Sequence, residues 1–223
     1  MKRTRRAGTR NAQTNRQHAI AWQAASLLLD YPDEKLFGQL PLLRSGVAQL
    51  PEDLRGPLNG FLDHAESTTS IGLAAHYVEM FDTRRRCCLY LSYYAHGDTR
   101  KRGMALLRFK QAYRAAGLEL SDHELPDHLA VLLEFGATGN LVEGRRLLLE
   151  HRAGLELLRL ALTDAASPYA GVVVAVCRTL PPLQGEDRDA VARLAAAGPP
   201  AEEVGLQPFA PPEYMPDTVG ARR

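Results

Sequence analysis

His123, Glu124, Asp127 and His128 place two imidazoles and two carboxylates on one short stretch of chain. His123 to Asp127 and Glu124 to His128 are i, i+4 pairs, the spacing that puts two side chains on one face of a helix. Such a pair can hold a metal or move a proton, but a zinc site needs three or four ligands. Further ligands would have to come from His64, His76, His96 or His151, all distant in sequence. Carboxylates also favour the first turn of a helix through its dipole. The expectation is therefore a charged, exposed helix start, with no bound metal or cofactor.

Other chemistries lack their residues. There is no G-x-S-x-G elbow, no glycine-rich phosphate loop ending in Lys-Ser/Thr, and no H-E-x-x-H. No catalytic residue is assigned, and the chain is not expected to be an enzyme. Cys87, Cys88 and Cys177 are odd in number and contain no Cys-x-x-Cys pair, so they read as small buried residues of a reducing compartment. Between Arg84 and Arg114 lie nine basic residues and one acid, Asp98, with tyrosines interleaved. That pattern leaves a helical nucleic-acid-binding regulator as an alternative. The tyrosines fall on helix faces that read as buried, so a solvated face or a protein-docking surface accounts for the arginines better, and no nucleic-acid partner is expected.

The formal net charge of +1 conceals an asymmetry. Residues 1–16 carry Lys2, Arg3, Arg5, Arg6, Arg10 and Arg16 with no acid, and removing these six leaves 21 basic against 26 acidic residues. The Arg5-Arg6 pair is not followed by the apolar segment that a twin-arginine export signal requires. No run of eighteen apolar residues is present, so no direct membrane insertion is expected. A hydrophobic fraction of 45% is enough for a sizeable core, and a cytoplasmic location is the expectation.

The elements that must position these residues are helices. Ile20, Ala24, Leu27 and Leu28 form one stripe, ended by Asp30-Tyr31-Pro32. Leu54, Leu58, Phe61 and Leu62 form a second, with a kink or late start implied by Pro57. Ser67 to Ser70 offer caps for a helix bearing Leu73, Tyr77, Met80 and Phe81. Residues 86–95 are apolar nearly all round and read as a central helix. Thr99 or Asp98 opens the next helix, with Leu106, Phe109 and Tyr113 facing inward and Gly117 as its stop. Leu125, Leu129, Leu132 and Leu133 make a further stripe, on a helix expected to start near Pro126. Val172 to Val174 favour a strand by propensity, yet Ser167-Pro168 and the spacing of Tyr169, Val172, Val173 and Val176 predict a helix.

The fold class predicted is all-α. A basic disordered arm (1–16) precedes a single helical bundle (17–180), followed by a short helix and a proline-rich tail (181–223). Phe209, Tyr214 and Met215 make that tail more apolar than a solvated tail requires, so it is expected to lie across a groove of the bundle.

Three segments in this order, Leu28-Leu29-Asp30-Tyr31-Pro32, Tyr77-Val78-Glu79-Met80-Phe81-Asp82 and Glu124-Leu125-Pro126-Asp127-His128-Leu129, resemble the NarJ family. These are the nitrate reductase delta subunits, or molybdenum cofactor assembly chaperones, related to the TorD and DmsD chaperones. Ser92 to Arg100 and Gln111 to Leu118 extend the resemblance, which covers residues 20–180. It implies an all-α chaperone that binds the N-terminal peptide of the nitrate reductase catalytic (alpha) subunit, permits insertion of the molybdenum cofactor and times docking to the membrane partners. The family's Glu-x-Pro-Asp-His signature falls on Glu124, Pro126, Asp127 and His128, and its Tyr-x-x-x-Phe element on Tyr77 and Phe81. With Met80, these are the expected peptide-binding residues, the aromatic ones lining a groove and Asp127 and His128 orienting the peptide.

Overall fold

The computed structural model describes residues 2–121 and 124–197, with side chains from residue 11 onward. His123 and the proline-rich tail, with Phe209, Tyr214 and Met215, lie outside the described residues. The fold is all-α, as expected. Among the described residues eleven α-helices run α1 (Lys2–Leu28), α2 (Glu34–Val47), α3 (Glu52–Ser67), α4 (Ser70–Tyr77), α5 (Tyr93–His96), α6 (Arg100–Ala115), α7 (Leu129–Glu134), α8 (Leu141–Glu150), α9 (Arg152–Asp164), α10 (Tyr169–Arg178) and α11 (Gly185–Ala197).

Helix α1 is the axis of the bundle and packs on α2, α7 and α10. Its residues 11–16 are exposed, and burial begins at Gln17, so the boundary expected at residue 16 is a change of burial within one helix. Trp22 is fully buried and donates its indole N–H to Thr179 Oγ1 at 2.8 Å, tying α1 to the end of α10. Ser26 ties α1 to α7 by donating to the Ala130 carbonyl, also at 2.8 Å. Close approach is possible where α7 continues towards α8 because Gly136 and Gly144 meet there: a Cβ on Gly136 would sit 2.5 Å from the Trp22 ring.

Local chemistry sets most helix starts. Asp33 caps α2 by accepting from the Leu36 N–H, Thr69 caps α4 through Gly72, and Asn140 caps α8 through Glu143. Pro57 lies inside α3, where its ring denies the Asp53 carbonyl its usual i+4 donor. Arg178 of α10 donates to that carbonyl instead, at 2.5 Å. The valine run of α10 is helical, as its spacing predicts. Gly117 follows α6 with φ at +78°, the left-handed stop that glycine adopts without strain.

Two helices end in π turns, Val78–Asp82 after α4 and Phe135–Gly139 after α7. A π turn holds one more residue per hydrogen-bonded loop than an α turn.

Two expectations are corrected. Residues 86–95 do not form a central helix. Arg85–Cys87 is a single 3-10 turn, Tyr90 is extended, and only Tyr93–His96 is α-helical. The apolar run is buried as foreseen, but its backbone partners lie across the chain. Tyr90 and His128 form an isolated antiparallel bridge, with Leu91 N–H donating to Asp127 O at 3.0 Å and Leu129 N–H to Leu89 O at 2.9 Å. The second correction follows from the first. Pro126 does not open a helix, because residues 126–128 are held in that bridge and α7 begins at Leu129.

Candidate functional site

Asp127 is 0% exposed and sits beneath the bridge rather than at an exposed helix start. Its Oδ2 accepts from Ser92 Oγ at 2.5 Å, from Ser92 N at 3.3 Å and from the Arg102 guanidinium at 3.4 Å. Arg102 also pairs with Asp98 at 2.9 Å and lies 5.3 Å over the Tyr90 ring. Pro126 is buried beside it, its carbonyl accepting from the Tyr113 hydroxyl at 2.6 Å. Both residues therefore hold the 126–128 segment in place and do not face solvent.

His128 and Glu124 do reach the surface. They line a cleft of about 180 Å³ with Ser26, Asp30, Tyr90 and Glu134. His128 packs edge-on to Tyr90, their rings 5.2 Å apart. Among the described residues no Lys or Arg forms an ion pair with Asp30, Glu124 or Glu134. The cleft is thus acidic, with one imidazole and one phenol on its wall. Burial pushes the His128 imidazole below its ordinary value, and the Asp30, Asp127 and Glu124 carboxylates only partly oppose this.

The aromatic candidates lie on the other side of Asp30. Tyr77 and Met80 are buried and Phe81 is half-buried. Tyr77 donates to the Leu29 carbonyl at 3.3 Å and stacks edge-on with Phe81 at 4.8 Å, and Phe81 reaches Tyr169 at the same distance. Tyr31, 52% exposed, lies edge-on to Tyr77 at 5.5 Å. The chain turn Asp30-Tyr31 therefore joins the two groups, Asp30 lining the acidic cleft and Tyr31 extending the aromatic one. Sequence reasoning omitted Asp30, Tyr31, Tyr90 and Glu134 from the site. Asp30 and Tyr31 stood within a quoted motif, but nothing local linked Tyr90 or Glu134 to His128.

The three cysteines are free, and burial raises each thiol, Cys88 to about 11 and Cys177 to about 12. Among the described residues no group of three or more His, Cys, Asp or Glu could hold a metal ion. No helix among them is long and apolar enough to cross a membrane.

Burial also lowers the imidazoles of His18, His76 and His151. Each is held neutral in the fold at pH values where the unfolded chain takes up a proton. Stability is then complete above the ordinary imidazole value of 6.5 and is lost as pH falls below it towards the folded values. The urea midpoint is expected to drop between pH 7 and pH 5, and to drop less in His128→Gln. An unchanged midpoint over that interval would contradict the burial argument.

Fold and cleft together define an all-helical bundle with an acidic surface cleft edged by aromatic side chains. A family model described as nitrate reductase delta subunit matches residues 47–175. Nitrate reductase-like protein NarX of Mycobacterium tuberculosis (strain CDC 1551 / Oshkosh) is 43% identical over 160 residues, which is 72% of this chain and 24% of NarX. The chain thus spans about a quarter of that relative's length. The probable nitrate reductase molybdenum cofactor assembly chaperone NarJ of Bacillus subtilis (strain 168) is 32% identical over 158 residues, 70% of this chain and 85% of the relative. The nitrate reductase molybdenum cofactor assembly chaperone NarJ of Escherichia coli (strain K12) is 33% identical over 148 residues, 65% of this chain and 63% of the relative. The chain belongs to the nitrate reductase delta subunit family.

Proposed function

We propose that this protein is a non-catalytic, cytoplasmic assembly chaperone for nitrate reductase, acting on the catalytic subunit while its molybdenum cofactor is inserted. The cofactor belongs to the client. The relatives named as molybdenum cofactor assembly chaperones support this reading. We further propose that the chaperone holds the N-terminal peptide of the catalytic subunit and so delays its docking to membrane partners.

The observation that carries the finer reading is the cleft formed by Asp30, Glu124, Glu134, Tyr90 and His128, next to the exposed ring of Tyr31. Carboxylates that form no ion pair among the described residues, set around aromatic edges, suit a peptide that presents basic side chains on an apolar helical face. Tyr77 supports Tyr31 from behind and is itself backed by Phe81, with Met80 buried on the same turn, while Pro126 and Asp127 fix the wall that carries His128.

Calorimetric titration of the full chain with an N-terminal peptide of its cognate catalytic subunit tests both levels. Binding is expected, and Asp30→Asn with Glu124→Gln should weaken it about tenfold, a loss of roughly 1.4 kcal/mol. The variant should also flatten the salt dependence. Absence of binding to the parent chain sinks the peptide reading, and an unchanged affinity in the variant moves the site elsewhere.

A further inference from the structure

Helix α6 carries six basic residues, Arg100, Lys101, Arg102, Arg108, Lys110 and Arg114, and no acid. Only Arg102 is used inside the fold, by Asp98 and Asp127. Among the described residues the other five are exposed and form no ion pair with a carboxylate. The buried face of α6 is Ala105, Phe109, Ala112 and Tyr113. At 100° per residue, Met104 and Leu107 fall on the opposite side, with Lys101 and Arg108 on one flank and Lys110 and Arg114 on the other. Met104 is 65% and Leu107 42% exposed. Beyond the end of the helix, Lys110, Arg114, Leu118, Glu119 and Leu120 surround a recess of about 180 Å³. Met104 and Leu107, continued along the helix by Arg100 and Gln111, form an exposed apolar pair between two rows of cations, with no partner in the described fold.

The chain itself contains a complementary segment. Residues 198–217 hold Glu202, Glu203, Glu213 and Asp217, with no Lys or Arg, and intersperse Val204, Leu206, Phe209, Tyr214 and Met215. Fully extended, the twelve residues from Ala197 to Phe209 span about 40 Å and the seventeen to Tyr214 about 56 Å. A compact domain of this size has a diameter of roughly 40 Å, so the aromatic end of the segment can reach α6 from the end of α11. Tethering places it at millimolar effective concentration, where even weak ion pairing and partial burial suffice for occupancy.

We infer that residues 209–217 dock on the outer face of α6, the carboxylates of Glu213 and Asp217 against the two cation rows and the aromatic residues against Met104, Leu107 and the recess beside Leu118. This contact is independent of the acidic cleft and of any client.

Photo-crosslinking in the full chain tests it. A benzoylphenylalanine placed at Phe209 or Tyr214 is irradiated at low protein concentration, and the products are mapped by mass spectrometry. Crosslinks within residues 100–120 of the same molecule are expected. Arg108→Glu with Arg114→Glu, both exposed and outside the core, should reduce the yield at least fivefold. Adding Glu213→Lys and Asp217→Lys should restore it, which random contact by a loose tail would not do. Crosslinks to a second copy, to another face, or a yield indifferent to charge reversal overturn the inference. So does parent-chain binding to phosphatidylserine vesicles through α6 without any tail crosslink.

Discussion

Asp127→Ala is expected to lower folding stability by about 3 kcal/mol, the low end of the range for breaking a buried ion pair. The low end applies because Arg102 keeps Asp98 as a partner and retains some contact with water. Ser92 fares worse, since its N–H and hydroxyl both lose the acceptor they share. For a chain of this length the fall corresponds to roughly 6–12 °C in melting temperature. Asp127→Asn keeps the shape and one acceptor oxygen and should lose about half as much. Urea and thermal unfolding followed by circular dichroism will show this. Melting within a degree or two of the parent would mean that the network contributes nothing. Client binding by Asp127 variants is interpretable only with those curves in hand, because the residue supports the wall of the cleft without facing it.

A larger loss, about 3–5 kcal/mol, is expected for Trp22→Ala. The indole is fully buried against Gly136 and Gly144, and Thr179 Oγ1 is its hydrogen-bond acceptor. Trp22→Phe keeps most of the volume and should cost about 1–2 kcal/mol, the share of the lost N–H bond and the smaller ring. Gly136→Ala should destabilise the parent, since its Cβ would meet the ring at 2.5 Å. In the Trp22→Ala background the same methyl enters the vacated space, so the two substitutions should partly compensate. Additive losses in this cycle would show that the close approach is not what selects glycine at 136. Trp22 is the single tryptophan of the chain, so parent unfolding can be followed by its emission.

Periodicity made most of the fold legible. The stripes at Leu54, Leu58, Phe61 and Leu62, at Leu73 and Tyr77, and at Val172, Val173 and Val176 are buried as their spacing requires. The valine run shows why spacing outranks propensity once a start signal precedes it. Residues 86–95 resisted the same reasoning. A run apolar on every side says that it is buried, but not whether its backbone bonds along itself or to residues 127–129. Asp127 was misplaced for a related reason. A carboxylate next to proline reads locally as a cap, and its true partners, Ser92 and Arg102, lie 35 and 25 residues away. His128 and Glu124 reach the cleft, but Asp30, Tyr90 and Glu134 join them only through tertiary packing.

The π turn at Val78–Asp82 bears on how this chain is laid beside its relatives. An α-helix advances about 100° per residue, so a turn holding one extra residue rotates everything after it by that angle. The Tyr77 and Phe81 rings meet 4.8 Å apart across this widened turn. A relative that closes the same stretch as ordinary α-helix would need a one-residue gap here for its downstream positions to face the same way. Counting four residues from the tyrosine would then select a side chain pointing elsewhere, and a motif preserved in letters would be lost in space.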